Sequence, residues 1–208
     1  MTAFRELVRR PGRRGWWRDG AGVAAVEFSL ILPVVLLILG LVVYGGQIFR
    51  VQRKVTLGAK TVADLVSQGN NNSSATITAA ELTQILAYPN LILYPYDAAA
   101  VQVVVSELSL VTNRDGTVTG TVVWSCPNGN ANARPQNQQM SVDPDIAQAF
   151  ENPSNNPAGY VILGEVYYPF QPYGLYYALS AVTLHDSIIM IPRTNAQITL
   201  QSPPVNCS

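Results

Sequence analysis

Nineteen consecutive residues without a charge, Phe28 to Gly46, impose the first constraint on this chain. As an α-helix rising about 1.5 Å per residue they reach roughly 28 Å, close to the hydrocarbon thickness of a bilayer. Such a run serves as a membrane span. Immediately before it stands Glu27, within the longer apolar stretch GAGVAAVEFSLILPVVLLILGLVVYGG of residues 20 to 46. An ionised carboxylate at the edge of hydrocarbon is costly, so an acid in this place calls for a partner.

Charge is distributed unevenly around the run. Residues 1 to 22 hold six arginines against Glu6 and Asp19, a net +4, and the remainder of the 208 residues balances it with a net −4. Basic flanks mark the cytoplasmic side of a span, which favours the N-terminus inside and the C-terminus outside. Arg50, Arg53 and Lys54 follow the run and oppose that bias in part. A basic arm for nucleic acid is the competing reading, but no basic-aromatic platform or recognisable motif accompanies it, so no nucleic-acid partner is expected.

Three readings compete for the first 46 residues. One is a secretory signal peptide released at a small-residue site near Val43-Tyr44-Gly45. Another is an uncleaved signal anchor with Glu27 at the membrane surface. In the third, the basic leader is cut after Gly22 and the new N-terminus stays in the membrane. Cleavage there leaves an ammonium on Val23, and residues four apart share a helix face, so Glu27 can pair with that ammonium within the chain or on a neighbouring subunit. A pair of this kind is a specificity device more than a source of stability. Pro33 is tolerable within a membrane helix and is expected to kink or loosen it.

Gly22, Glu27, Phe28 and Pro33 in GVAAVEFSLILP carry a resemblance. The stretch is similar to the N-terminus of TadE-like pseudopilins of the tight-adherence (Tad, type IVc) pilus system, relatives of the Flp pilins. In that family a prepilin peptidase cuts after a glycine, with Glu at the fifth mature position, an aromatic at the sixth and a proline further into the span. The pieces EVYYPF and IPR resemble later strands of the same family more loosely. The resemblance implies a minor pilin or pseudopilin of the bacterial inner membrane, with its head in the periplasm. Its partners would be the prepilin peptidase, other pilins, the inner-membrane secretion platform and membrane lipid. The resemblance further implies subunit pairing through Glu27 and Phe28.

Beyond the span, Ile48, Val51, Val55, Ala59, Val62 and Leu65 or Val66 recur at helical spacing, so the helix is expected to continue outward as an amphipathic one, ending where Gly69 can adopt a left-handed cap. After the polar loop NNNSS, Thr78 and Glu81 form a capping box for a helix expected to stop before Pro89. Two strands follow around an Asn113 to Gly116 turn. Residues 127 to 140 read as a polar, solvated loop, Pro144 to Phe150 as a short helix, GYVILGEVYYPFQP as a strand, YGLYYAL as a short aromatic helix, and DSIIMIPR as the last strand.

The expected fold is α+β, a long N-terminal transmembrane-plus-amphipathic helix packed on a small antiparallel sheet of three or four strands. The expected divisions are a leader over 1–22, the long helix over 23–69 and a periplasmic head over 70–208. With that head on an oxidising side, pairing of Cys126 with Cys207 is expected, two unpaired thiols being the alternative.

Signs of catalysis are few. The only histidine, His185, adjoins Asp186, but neighbouring strand residues point to opposite faces and make no dyad. One histidine excludes a multi-histidine metal site, and neither a nucleophile elbow nor a glycine-rich phosphate loop occurs. Neither an enzyme nor a cofactor is expected. Six tyrosines between Tyr160 and Tyr177 are expected to fill the core and rim of the head, with a contact surface as the alternative. A signal-anchored periplasmic binding or adhesion module is therefore the second functional reading, and a secreted enzyme released near Gly45 the third.

Overall fold

The computed structural model describes residues 21–69, 75–150, 157–171, 181–194, 196–202, 204 and 206–208. The leader, NNNSS and the YGLYYAL segment with Tyr173, Tyr176 and Tyr177 fall largely or wholly outside these residues. Helix α1 runs unbroken over Ala21–Gln68. The chain divides between Gly45 and Gly46 into two units.

The first unit, in its described part, is the opening half of α1. Its large apolar side chains lie open, from Val23 through Phe28, Ile31 and Leu37 to Val43. The helix passes through Pro33 without ending. An apolar face on every side is what a helix carries when its surroundings, rather than its own chain, are to supply the packing.

In the second unit the same helix changes character. Val51, Val55, Ala59, Val62, Ala63 and Val66 are completely buried, while Arg53, Leu57 and Lys60 face outward. Gly69, at φ +58°, closes the helix and donates to Val66 O at 3.1 Å. The stripe packs on a five-stranded antiparallel sheet of order β4-β3-β2-β5-β6, formed by β2 (Gln102–Thr112), β3 (Val118–Asn128), β4 (Gln139–Val142), β5 (Gly159–Phe170) and β6 (Val182–Met190). Close approach is possible because β5 offers Gly164 under the helix. A Cβ there would stand 2.8 Å from Ala59 O and 3.0 Å from the Ala63 methyl, closer than such atoms pack.

The opposite face of the sheet holds a second apolar cluster around Leu108, Leu110, Val122, Phe150, Val161 and Leu163. Helix α3 (Pro144–Ala147), capped by Asp143, contributes Ala147 to it. Both sheet faces are thus covered, which explains why β2 is buried at consecutive positions over 103–108 instead of at alternate ones.

Three sequence expectations need correction. Helix α2 (Ala79–Ile92) has the Thr78–Glu81 capping box, but it does not stop before Pro89. Pro89 lies inside it, packed against Gly58, and its carbonyl still accepts from Leu93 N at 2.9 Å, so packing offsets the missing N–H. The polar stretch 127–140 is not all loop, because β3 extends to Asn128 and β4 begins at Gln139. DSIIMIPR is not the last strand either: β7 (Thr199–Gln201) pairs in parallel with β1 (Thr76–Thr78) as a separate two-stranded sheet, and the main sheet has five strands where three or four were expected. The Asn113–Gly116 hairpin forms as anticipated, with Asn113 N donating to Thr117 O at 2.8 Å.

Candidate functional site

Gly22, Val23, Glu27, Phe28 and Pro33 all lie on α1, and all are solvent-exposed. Val23 and Glu27 are one helical turn apart on a common face. No hydrogen bond or ion pair engages Glu27 among the described residues. In the uncut chain the Val23 nitrogen is an amide, so the ammonium that Glu27 would pair with exists only after cleavage. Nothing lies within 4 Å of where a Gly22 side chain would begin.

Elsewhere the structure brings together charged groups that the sequence reading left apart. Arg134, from the loop before β4, clasps Glu165 of β5 through two parallel bonds, Nε to Oε2 and Nη2 to Oε1, each 2.7 Å. Tyr167 donates to Glu165 Oε1 at 3.0 Å. His185 stacks on Tyr167 with ring centroids 4.2 Å apart, its Nε2 3.8 Å from the same carboxylate. The hydrogen bond from Arg134 to Glu165 raises the guanidinium pKa further above its ordinary value. Burial, aided by the Glu165 charge, pushes the Tyr167 phenol up.

Arg134, Glu165 and Tyr167 border an open cavity of about 320 Å³, also lined by Gln102, Val104 and Gln138. A carboxylate held on both oxygens by a guanidinium has little capacity left for proton transfer. The arrangement fastens the 129–138 loop to the sheet. His185 and Asp186 diverge, as alternation on a strand requires: Asp186 accepts from Thr56 of α1, while His185 lies with Tyr167 on the other side.

A disulfide joins Cys126 to Cys207. Beside it Ser125 and Ser208 exchange backbone hydrogen bonds of 2.9 and 2.8 Å, and Arg134 N donates to Ser125 Oγ at 2.9 Å. The loop, residues 207–208 and the centre of β3 are thereby tied into one block. The Arg134–Glu165 pairing leaves no sequence signal, since the partners stand 31 residues apart with no shared motif.

A second acid is buried on the opposite side of the sheet. Glu107 is fully enclosed at the bulge in β2, opposite Ile162, and so lies on the face that carries Gly164. Ile198 N donates to its Oε1 at 2.6 Å, and Oε2 has no partner among the described residues. Burial pushes its pKa up to about 7, against the opposing pull of the Ile198 N–H.

The comparison that finds a match does so along the helix. Residues 22–64 match the TadE-like protein family. The TadE-like segment begins at Gly22, contains Glu27, Phe28 and Pro33, and takes in the buried stripe as far as Ala63. No curated protein and no solved structure matches the chain. The TadE-like match ends within α1, so the sheet and its two acids lie outside it.

Proposed function

We propose that this chain is a minor pilin or pseudopilin that takes part in assembling a tight-adherence pilus. The observation that carries the reading is the family match, which starts at Gly22 and includes Glu27 on a helix left open along its apolar length. A prepilin peptidase removes residues 1–22. The helix of residues 23–69 then begins in the bacterial inner membrane and continues into a periplasmic head of residues 70–208. The freed Val23 ammonium pairs with Glu27, and Phe28 to Gly46 form the apolar surface shared with other pilins or the secretion platform. The oxidising compartment this implies agrees with the Cys126–Cys207 bond.

The test is the N-terminal residue and intact mass of the protein taken from membranes of its native host. A start at Val23 is expected. An intact Met1 would overturn the reading in favour of a signal anchor, and a start near Gly46 would remove the membrane helix altogether.

A further inference from the structure

Three large apolar side chains of the second unit are far more exposed than the rest: Phe49 at 71%, Leu91 at 73% and Tyr94 at 77%. All three lie toward the end where α1 enters the unit at Gly46. Phe49 is one turn past that point. Leu91 and Tyr94 are brought there because α2 runs antiparallel to α1. Its start borders a groove with Leu65 and Gly69, Pro89 packs on Gly58, and its last turn is held by Lys54, whose Nζ donates to Ile92 O at 3.1 Å and to Tyr94 O. Edge strand β6 descends toward the same end. Thr56 bonds Asp186 and Gln52 bonds His185 O, so Val182, three residues further back and itself exposed, lies still nearer that end.

These side chains share an end of the unit but not a side. Phe49 lies on the face of α1 turned away from Val51 and Val55, Leu91 and Tyr94 project from the end of α2, and Val182 from the edge of the sheet. A partner docking on one flank would reach only some of them. An interfacial layer covering the end of the unit where α1 enters would reach them all. Exposed Arg50 and Arg53 stand toward the same end, whereas Lys54 is engaged with the α2 carbonyls and Tyr96.

We infer that this end of the head rests in the interfacial layer of a phospholipid bilayer. Leu91, Tyr94 and Phe49 sit at the boundary of headgroups and acyl chains, and Arg50 and Arg53 meet the phosphates of anionic lipid. The inference rests on the reading that Phe28 to Gly46 spans the membrane. Amphipathic aromatic rings favour this layer because the ring is desolvated while the hydroxyl stays wet, and arginine can bury its stem while its charge remains at the phosphates. Basic residues at this depth are drawn to an anionic surface. The head would then be fixed in orientation against the membrane from which a subunit must be drawn.

The experiment uses the full chain reconstituted in vesicles of phosphatidylcholine and phosphatidylglycerol. Both native cysteines are in the disulfide, so single replacements Leu37→Cys, Phe49→Cys, Tyr94→Cys and Arg114→Cys each accept an environment-sensitive fluorophore. Arg114 lies in the hairpin turn at the far end of β2. Quenching by nitroxides carried near the lipid headgroup is expected to be several-fold stronger at positions 49 and 94 than at 114, with iodide from solution showing the reverse order. Strong lipid quenching at 37 with positions 94 and 114 alike would overturn the inference and leave the span standing. Protection of 94 from both quenchers would overturn it in favour of a protein contact. Absence of lipid quenching at 37 would overturn the span and the inference together.

Discussion

The two halves of α1 are continuous in backbone, yet they solve opposite problems. In residues 46–68 most apolar side chains form one stripe, from Val51 to Val66, that is completely buried against β5 and its neighbours, with Phe49 and Leu57 left off it. In residues 21–45 they surround the helix and remain open. Helical periodicity therefore separates a segment that packs within its own chain from one long and apolar enough to cross a membrane. Each half is also associated with one acid in apolar surroundings. Glu107, on the sheet face that meets the packed half, has an internal donor in Ile198 N, whereas Glu27 has no internal partner among the described residues.

The contrast is broken most strongly by placing the same charge in each half. Val55→Asp puts a carboxylate into a fully buried position with no cation to pair it, and is expected to cost the head about 4 kcal/mol or more, enough to unfold it. Leu37→Asp should leave the thermal unfolding of the head unchanged and weaken membrane insertion by about 3 kcal/mol. Unfolding measured in detergent, with membrane fractionation alongside, checks both. Equal loss of head stability in the two variants would refute the division of labour.

Glu107 comes next. Its pKa rises from an ordinary 4.5 to about 7 on folding, so the folded state holds its proton more tightly than the unfolded chain does. Stability is therefore greatest below pH 4.5 as far as this group is concerned, falls as pH rises from 4.5 to 7, and levels off above. At about 1.4 kcal/mol per pKa unit the loss is on the order of 3 kcal/mol. Glu107→Gln should flatten that part of the profile and make the variant the more stable form at pH 8. An unchanged slope between pH 5 and 7 in the variant would remove Glu107 as its source.

Gly164→Val tests the closeness of the packed half at a smaller scale. The new side chain meets the backbone at Ala59 O, which has little room to yield, and overpacking of this kind costs about 1–3 kcal/mol. A Val variant with an unchanged unfolding midpoint would show that α1 can lift from the sheet without penalty.

What was legible in the sequence follows the range of the interactions. The α1 stripe, the Thr78–Glu81 capping box, the Gly69 cap and the Asn113–Gly116 turn are local patterns of three to seven residues, and each forms. Strand β7 was invisible because three residues become a strand only by pairing with β1, which lies more than 120 positions earlier. Strand β4 sits at the sheet edge, and although QMSV alternates, four residues at the end of a long polar stretch are too few for a period of two to stand out. Pro89 misled because a local rule, that proline stops a helix, yielded to its burial against Gly58. The helix residues Gly22, Glu27, Phe28 and Pro33 were legible as a motif, while Arg134 and Glu165 became neighbours only through the folded sheet.

The smallest effect on stability is expected from Glu27→Gln. Because Glu27 is exposed and unpaired among the described residues, replacing it should move the unfolding of the head by less than about 0.5 kcal/mol. Insertion should also persist, since the amide is easier to place near hydrocarbon than the carboxylate. Assembly is where the substitution should tell if the proposed pairing holds: without the carboxylate a freed Val23 ammonium would lose its partner, and an unpaired charge at a subunit contact is costly. Counting pili on cells that carry the variant, beside an immunoblot for the processed protein, separates the alternatives. Normal pili would show that Glu27 pairs with nothing that matters to assembly, whereas lost pili with normal levels of processed protein would place its partner on another subunit or across the new N-terminus.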